Sequence, residues 1–96
     1  MILKIHKSDR TIVALCDSDI LGKRFEQGNL QLDLTTDFYK GKEVTEQEAA
    51  KIVPSADILN LVGEKSVGLG IKLGLIEKNN VIRIKDIPHA QAALYT

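Results

Sequence analysis

The run from Glu64 to Ile76 constrains this chain most. Read as a helix, it places Val67, Ile71 and Leu75 on one side and Leu69, Leu73 and Ile76 on roughly the opposite side. Beyond Glu64 and Ser66 in its first turn, Lys65, Lys72 and the glycines break the ring. A helix that is apolar around most of its girth must be covered on two sides. Gly68 and Gly70 each lower helix propensity by roughly 1 kcal/mol relative to alanine, which makes sense where another backbone packs close. The chain has 96 residues, one domain's worth of length, and a small domain has little mass to cover a helix twice. Two arrangements follow: a helix sandwiched inside the fold, or a homodimer seam through residues 64–76.

The flanking pattern supplies a sheet. Residues 56–62 read as an apolar strand, Gly63 as a turn, 64–73 as the helix and Gly74 as its C-cap. After the turn Lys78-Asn79-Asn80, residues 81–85 read as a strand, so 56–85 is a β-α-β unit that favours a parallel pair. Pro88 interrupts, and 90–95 reads as a last edge strand. At the other end, Ile2, Lys4 and His6 alternate with Leu3 and Ile5. With Ser8-Asp9-Arg10 as a turn and a β-rich run over 11–16, this predicts a hairpin. Asp17, Ser18 and Asp19 offer N-caps for a short turn over Ile20 and Leu21, ended by Gly22. Leu30, Leu32 and Leu34 mark a half-buried strand, and Phe38-Tyr39-Lys40-Gly41-Lys42 a turn with an aromatic anchor. Thr45-Glu46-Gln47-Glu48 is a capping box that opens a helix running to about Val53, before Pro54. The expected fold is α+β, one domain over 1–96. It has a mixed β-sheet, an N-terminal hairpin, two main helices and a C-terminal β-α-β unit.

Composition excludes more than it assigns. Hydrophobic residues are 44% and charged residues 27%, which argues against disorder and membrane insertion. Thirteen cationic residues balance 13 acidic ones, so there is no basic nucleic-acid coat and no acidic tail. Cys16 is the single cysteine, so no intramolecular disulfide can form and a reducing compartment is expected. The N-terminus shows no long apolar segment or small-residue cleavage site, and a cytoplasmic location is expected.

Several groups carry chemistry by type. Residues 63–68 have the glycine spacing of a phosphate loop but lack its lysine and hydroxyl, so no nucleotide chemistry is expected. A strand, a glycine and a helix start still present free N–H groups able to hold an anion. An ordinary turn capped by its own side chains explains the pattern more simply. His6, Cys16, Asp17, Asp19 and His89 match no metal-ligand spacing, and neither metal nor cofactor is expected. Cys16 ends an apolar strand beside Asp17, a setting that raises a thiol's pKa and makes it inert. Charge bias is local: Lys65, Lys72, Lys78, Arg83 and Lys85 stand against Glu77, and Lys23 and Arg24 form a second basic pair.

The ordered motifs carry a resemblance. They run Lys4-Ile5-His6, Val13-Ala14-Leu15-Cys16-Asp17, Leu21-Gly22-Lys23 and Phe38-Tyr39-x-Gly41. Asn60-Leu61-Val62-Gly63-Glu64-x-Ser66-Val67 and Pro88-His89-Ala90-Gln91 follow. Their order and spacing resemble the small archaeal family catalogued as domain of unknown function 424, over nearly the whole chain. The resemblance implies a cytosolic single-domain protein with an association to translation and ribosome-biogenesis factors, and no established activity. It marks Asp17, Lys23, Asn60, Glu64, Ser66, His89 and Gln91 as polar signature positions. Asn60, His89 and Gln91 either hydrogen-bond one another, stitching the C-terminal segment to the sheet, or share a ligand pocket with Lys23.

Three functions are therefore expected in descending order. The first is a non-enzymatic binding module for RNA or a ribosomal particle, with Lys23, Arg24, Lys65, Lys72 and Lys85 on phosphates. The second is a small-molecule or anion-binding enzyme with its site at the 63–66 helix start. Its residues would be Asp17, Asn60, Gly63, Glu64, Ser66, His89 and Gln91. The third is a structural homodimer through the 64–76 helix.

Overall fold

Alternating apolar residues become one sheet covered on both faces. In the computed structural model, which describes residues 1–95, β1 (Ile2–Lys7) and β2 (Thr11–Cys16) form the expected antiparallel hairpin, with Leu3 opposite Leu15 and Ile5 opposite Val13. There follow β3 (Arg24–Gln27), β4 (Leu30–Asp33), β5 (Lys42–Glu43), α1 (Glu46–Ile52) and β6 (Ile58–Val62). The chain ends with α2 (Glu64–Lys72), β7 (Ile82–Ile84) and β8 (Ile87–Ala93). Six strands lie in the order β5-β1-β2-β6-β8-β7, and β3 and β4 pair separately. The sheet is mixed: β2 and β6 run parallel and the other pairs antiparallel. This is the α+β class that the sequence predicts.

Strand periodicity sorts the side chains into two cores. Val13, Leu15, Leu59 and Leu61 face α1 and α2 and are buried with Ala49, Val53, Val67 and Leu69. Ala14, Cys16, Val62 and Ile84 face the other way, under Ile20, Leu32, Leu34 and Tyr39. The β3–β4 hairpin and a 3₁₀ turn over Asp37–Tyr39 make that second cover. Leu32 and Leu34 are buried as the alternation requires, but Leu30 is exposed at the hairpin's start. Strand β3 carries one partly buried apolar residue, Phe25, and so has no alternation to announce it.

The helices start and stop near their expected positions. Thr45 caps α1 through Glu48 N, and Glu48 returns a carboxylate to Thr45 N, completing the capping box. Val53, Pro54 and Ser55 continue as one 3₁₀ turn, because Pro54 has no amide proton to extend the α-helix. Helix α2 is followed by Leu73 as its C-cap and Gly74 at φ +75°. Val67, Leu69 and Gly70 are buried on its sheet side. A Cβ on Gly70 would stand 2.5 Å from Leu61 Cδ1, so this glycine is needed for close packing, against side chains. Gly68 instead faces open space. Ile71, one turn from Val67, lines a recess with it, Lys78 and Val81 of the returning segment. The chain itself thus buries Val67 and Leu69, one from each side of the apolar belt.

The C-terminal unit departs from expectation in its order. β6 and β7 do run parallel across α2, yet β8 lies between them. Lys85 and Asp86, at φ +52° and +65°, form a two-residue turn of the kind that matches strand twist. That turn sends the chain straight back along β7. Strand β8 therefore begins at Ile87, contains Pro88, and is interior where the sequence suggested an edge strand after an interruption. Pro88 is tolerated for a specific reason. Its carbonyl accepts from Gly63 N at 2.9 Å, and the carbonyl its own amide would have met, that of Gly63, already accepts from Val67 N.

Candidate functional site

The ends of β2, β6 and β8 meet the start of α2, and the polar signature gathers there in two groups. The first group is centred on Asp17. Its amide donates to Val62 O at 3.0 Å, which holds the residue at the end of the parallel pair. Its carboxylate points into α2: Oδ2 accepts from Lys65 N at 3.0 Å, and Oδ1 accepts from Ser66 N at 2.8 Å and Ser66 Oγ at 2.7 Å. Asp17 is 6% exposed and Ser66 is wholly buried. An anion at a helix N-terminus satisfies donors that lack intrahelical partners and opposes the positive end of the dipole. Here the anion is part of the chain. The N-cap expected for the local turn thus belongs to α2. The local turn is closed by the backbone, with Ile20 N on Asp17 O and Gly22 at φ +86°.

Gly63 makes the approach possible. It sits at φ +105°, and a Cβ there would overlap the Asp17 carboxylate. Glu64, beside it, is exposed and pairs with Arg83 at 2.9 Å. The amides of Lys65 and Ser66, which an external anion would use, are engaged by Asp17.

Asn60, His89 and Gln91 form the second group, on the sheet face away from the helices. Asn60 is opposite Gln91 and Val62 opposite His89. They do not stitch to one another as the sequence suggested. Asn60 Oδ1 accepts from Tyr39 Oη at 2.6 Å, so this polar residue in an apolar strand anchors the aromatic turn. The Tyr39 hydroxyl is pushed up to about 12 by burial and then by the nearby Cys16. His89 Nδ1 donates to Leu61 O at 3.0 Å, which leaves Nε2 without the proton when the ring is neutral. Burial pulls the His89 pKa down, partly opposed by the Leu61 carbonyl. His89 and Gln91 line a shallow recess with Asn80 and Ile82. Lys23 does not line it.

Cys16 is wholly buried, and its thiol is pushed up to about 12 by burial first and then by Asp17 and Asp19. His6 is held apart from His89: its Nε2 donates to Phe38 O at 2.9 Å, and its ring stacks on Phe38 at 4.5 Å. Among the described residues no three His, Cys, Asp or Glu side chains are grouped to hold a metal ion. No described helix is long and apolar enough to cross a membrane. Of the basic residues, Lys65 and Lys72 are seven apart on one side of α2, Lys23 and Arg24 belong to the layer across the sheet, and Lys85 sits in the β7–β8 turn of the sheet itself. Lys85 N donates to Gln27 Oε1 at 2.7 Å, which ties its turn to β3. Arg24 lies 3.5 Å from Glu26. The sequence reading missed Tyr39 as the partner of Asn60. The signal available was a lone amide in an apolar strand, which requires a partner without naming it.

The fold and this cluster define a small α+β domain in which a strand-borne carboxylate caps a helix and locks a parallel strand pair. The chain belongs to the family described as "Protein of unknown function (DUF424)", whose model matches residues 5–95. It is similar to an uncharacterised conserved protein from Methanopyrus kandleri known from its crystal structure. The two are 27% identical with a TM-score of 0.83, over 97% of this chain and 90% of the other. No curated protein matches the chain.

Proposed function

We propose that the protein is a non-enzymatic binding module for the phosphate backbone of RNA, acting on a ribosomal particle or its precursor. The observation that carries this reading is a contrast in how polar groups are used. Asp17, Asn60, Ser66 and His89 are hydrogen-bonded inside the fold. Among the described residues no buried side-chain nitrogen or oxygen lacks a partner. Lys23, Lys65, Lys72 and Lys85 are exposed, and none forms an ion pair among the described residues. The RNA backbone runs along α2 past Lys72 and Lys65 and crosses the end of the sheet marked by Asp17 toward Lys23 and Lys85. Arg24, held near Glu26, contributes less. The buried, protonated Cys16 and the enclosed Ser66 hydroxyl support a binding role over a catalytic one.

Fluorescence anisotropy with labelled total cellular RNA tests this. Affinity should fall steeply with salt, because each neutralised phosphate releases counterion at a slope of about 0.7–0.9 per contact. Reversal of Lys23, Lys65, Lys72 and Lys85 to glutamate should weaken binding at least about tenfold at low salt and flatten the slope. Absence of binding at about 50 mM salt, or an unchanged slope in the fourfold variant, would sink the proposal. Sedimentation in native extract before and after RNase places the partner.

A further inference from the structure

We propose that the outer edge of β1 and the groove beside it form a strand-addition site for a short, extended, acidic peptide with an apolar residue at its centre. This surface is separate from the lysines of the RNA reading.

The edge is half covered. β5 pairs with β1 at Ile2 and Leu3, and Val44 N donates to Met1 O at 2.8 Å. At Gly41 the covering chain lies so close that a Cβ would overlap Leu3 O, and beyond it the pairing ends. Backbone groups on a strand point to alternate sides. Met1 therefore shares its edge with Leu3, Ile5 and Lys7. Among the described residues no strand pairs with 4–7 on that side. Ile5 and Lys7 offer a new strand two amides and two carbonyls.

A cavity of about 570 Å³ lies beside this edge, between β1 and α1. Leu3, Ile5, Val44 and Ile52 supply its apolar wall. Ile5 is 40% exposed, an unusual state for a large apolar residue at an unpaired edge. The volume lies in the range of small-ligand pockets. An added strand would direct every second side chain to this face of the sheet, where one apolar residue meets Ile5.

Charge selects the occupant. Lys4, Lys40 and Lys42 rim the cavity, against one lining carboxylate, Glu48; Lys40 pairs with Asp37 at 3.4 Å, so Lys4 and Lys42 carry the selection. Glu48 is committed to Thr45 N at 2.9 Å. Lysines on an edge strand also guard against accidental pairing. A guard alone accounts for Lys4 and Lys7, but not for an apolar cavity alongside them. A second copy pairing β1 to β1 would bring Lys4 and Lys7 of both chains together, so like charges oppose it. Acidic residues flanking an apolar one answer both features, in the manner of peptides that extend a sheet edge.

The test is a titration of ¹⁵N- and methyl-labelled protein with the peptide acetyl-Asp-Glu-Glu-Leu-Glu-Glu-amide, followed by NMR. The expected result is saturable shifts at the amides of Ile5 and Lys7 and at the methyls of Leu3, Val44 and Ile52. Amide exchange at Ile5 and Lys7 should slow. The Ile5→Lys variant, altered at an exposed position, and the double variant Lys4→Glu/Lys42→Glu should each weaken binding at least tenfold. A peptide N-methylated at alternate residues should fail against unaltered protein, which keeps the test independent of any folding defect. Absence of shifts at millimolar peptide would overturn the proposal, as would equal binding of the lysine-for-glutamate peptide. Concentration-dependent shifts at the same amides without peptide would assign the edge to a second copy instead.

Discussion

Helices α1 and α2 meet the same requirement, partners for their first N–H groups, in opposite ways. Thr45 and Glu48 close the start of α1 within four residues, at the surface. The start of α2 takes a carboxylate from the end of β2, 48 and 49 positions away in sequence, in a site closed to solvent. The first device belongs to the helix and travels with it. The second belongs to the sheet, because Asp17 arrives only when β2 lies beside β6 in register. The difference teaches which helix the fold depends on: loss of the α1 cap loosens one turn, whereas loss of the α2 cap strands buried donors and loosens a strand junction.

Asp17→Ala should have the largest effect. It leaves Lys65 N, Ser66 N and Ser66 Oγ without their acceptor, and charge-assisted bonds of this kind are costly to orphan. A loss of about 3 kcal/mol or more is expected in denaturant unfolding, with amide exchange accelerated across the first turn of α2. A loss under about 1 kcal/mol would make the two caps equivalent and erase the comparison. Thr45→Ala should cost about 1 kcal/mol, with faster exchange confined to α1. The smallest effect should come from Glu48. Its carboxyl lies below its ordinary value of 4.5, first because it accepts from the Thr45 backbone amide. A depressed folded pKa contributes stability above the unfolded value, lost as pH falls through the folded value. The stability gap between wild type and Glu48→Gln should therefore be present at pH 7 and shrink below pH 4.5. A gap that persists at pH 3 would show that the charge is not what Glu48 contributes.

The same contrast explains what was legible in the sequence. The Thr45 box is a local pattern, and it predicted α1 from its start to Pro54. The β1–β2 hairpin followed from alternation, and Gly74 followed from its place after the last apolar turn. Asp17 looked local too, because aspartate before a short turn is an ordinary cap. Nothing in its neighbourhood says that its acceptors serve residues 65 and 66. Lys85 and Asp86 adopt left-handed conformations without the glycine or asparagine that usually reports them, so the return into β8 was hidden. Pro88 reads as a breaker in the sequence, which cannot show that Gly63 O already has a donor. Within the candidate site, the residue types were visible and the pairing was not. Asn60 had to find a partner, and Tyr39 was identified only as an aromatic anchor.

The parallel pairing of β2 with β6 carries a consequence for synthesis. The β1–β2 hairpin is complete as soon as Cys16 is made, but the acceptor beside it has no donors until Ser66 follows. About fifty residues must be added before the two meet, and closing a loop that long is slow compared with forming a hairpin. Until then, β2 presents an unpaired side to every neighbouring chain. The nascent protein is most vulnerable to mispairing in that interval, and it ends when one carboxylate finds one helix.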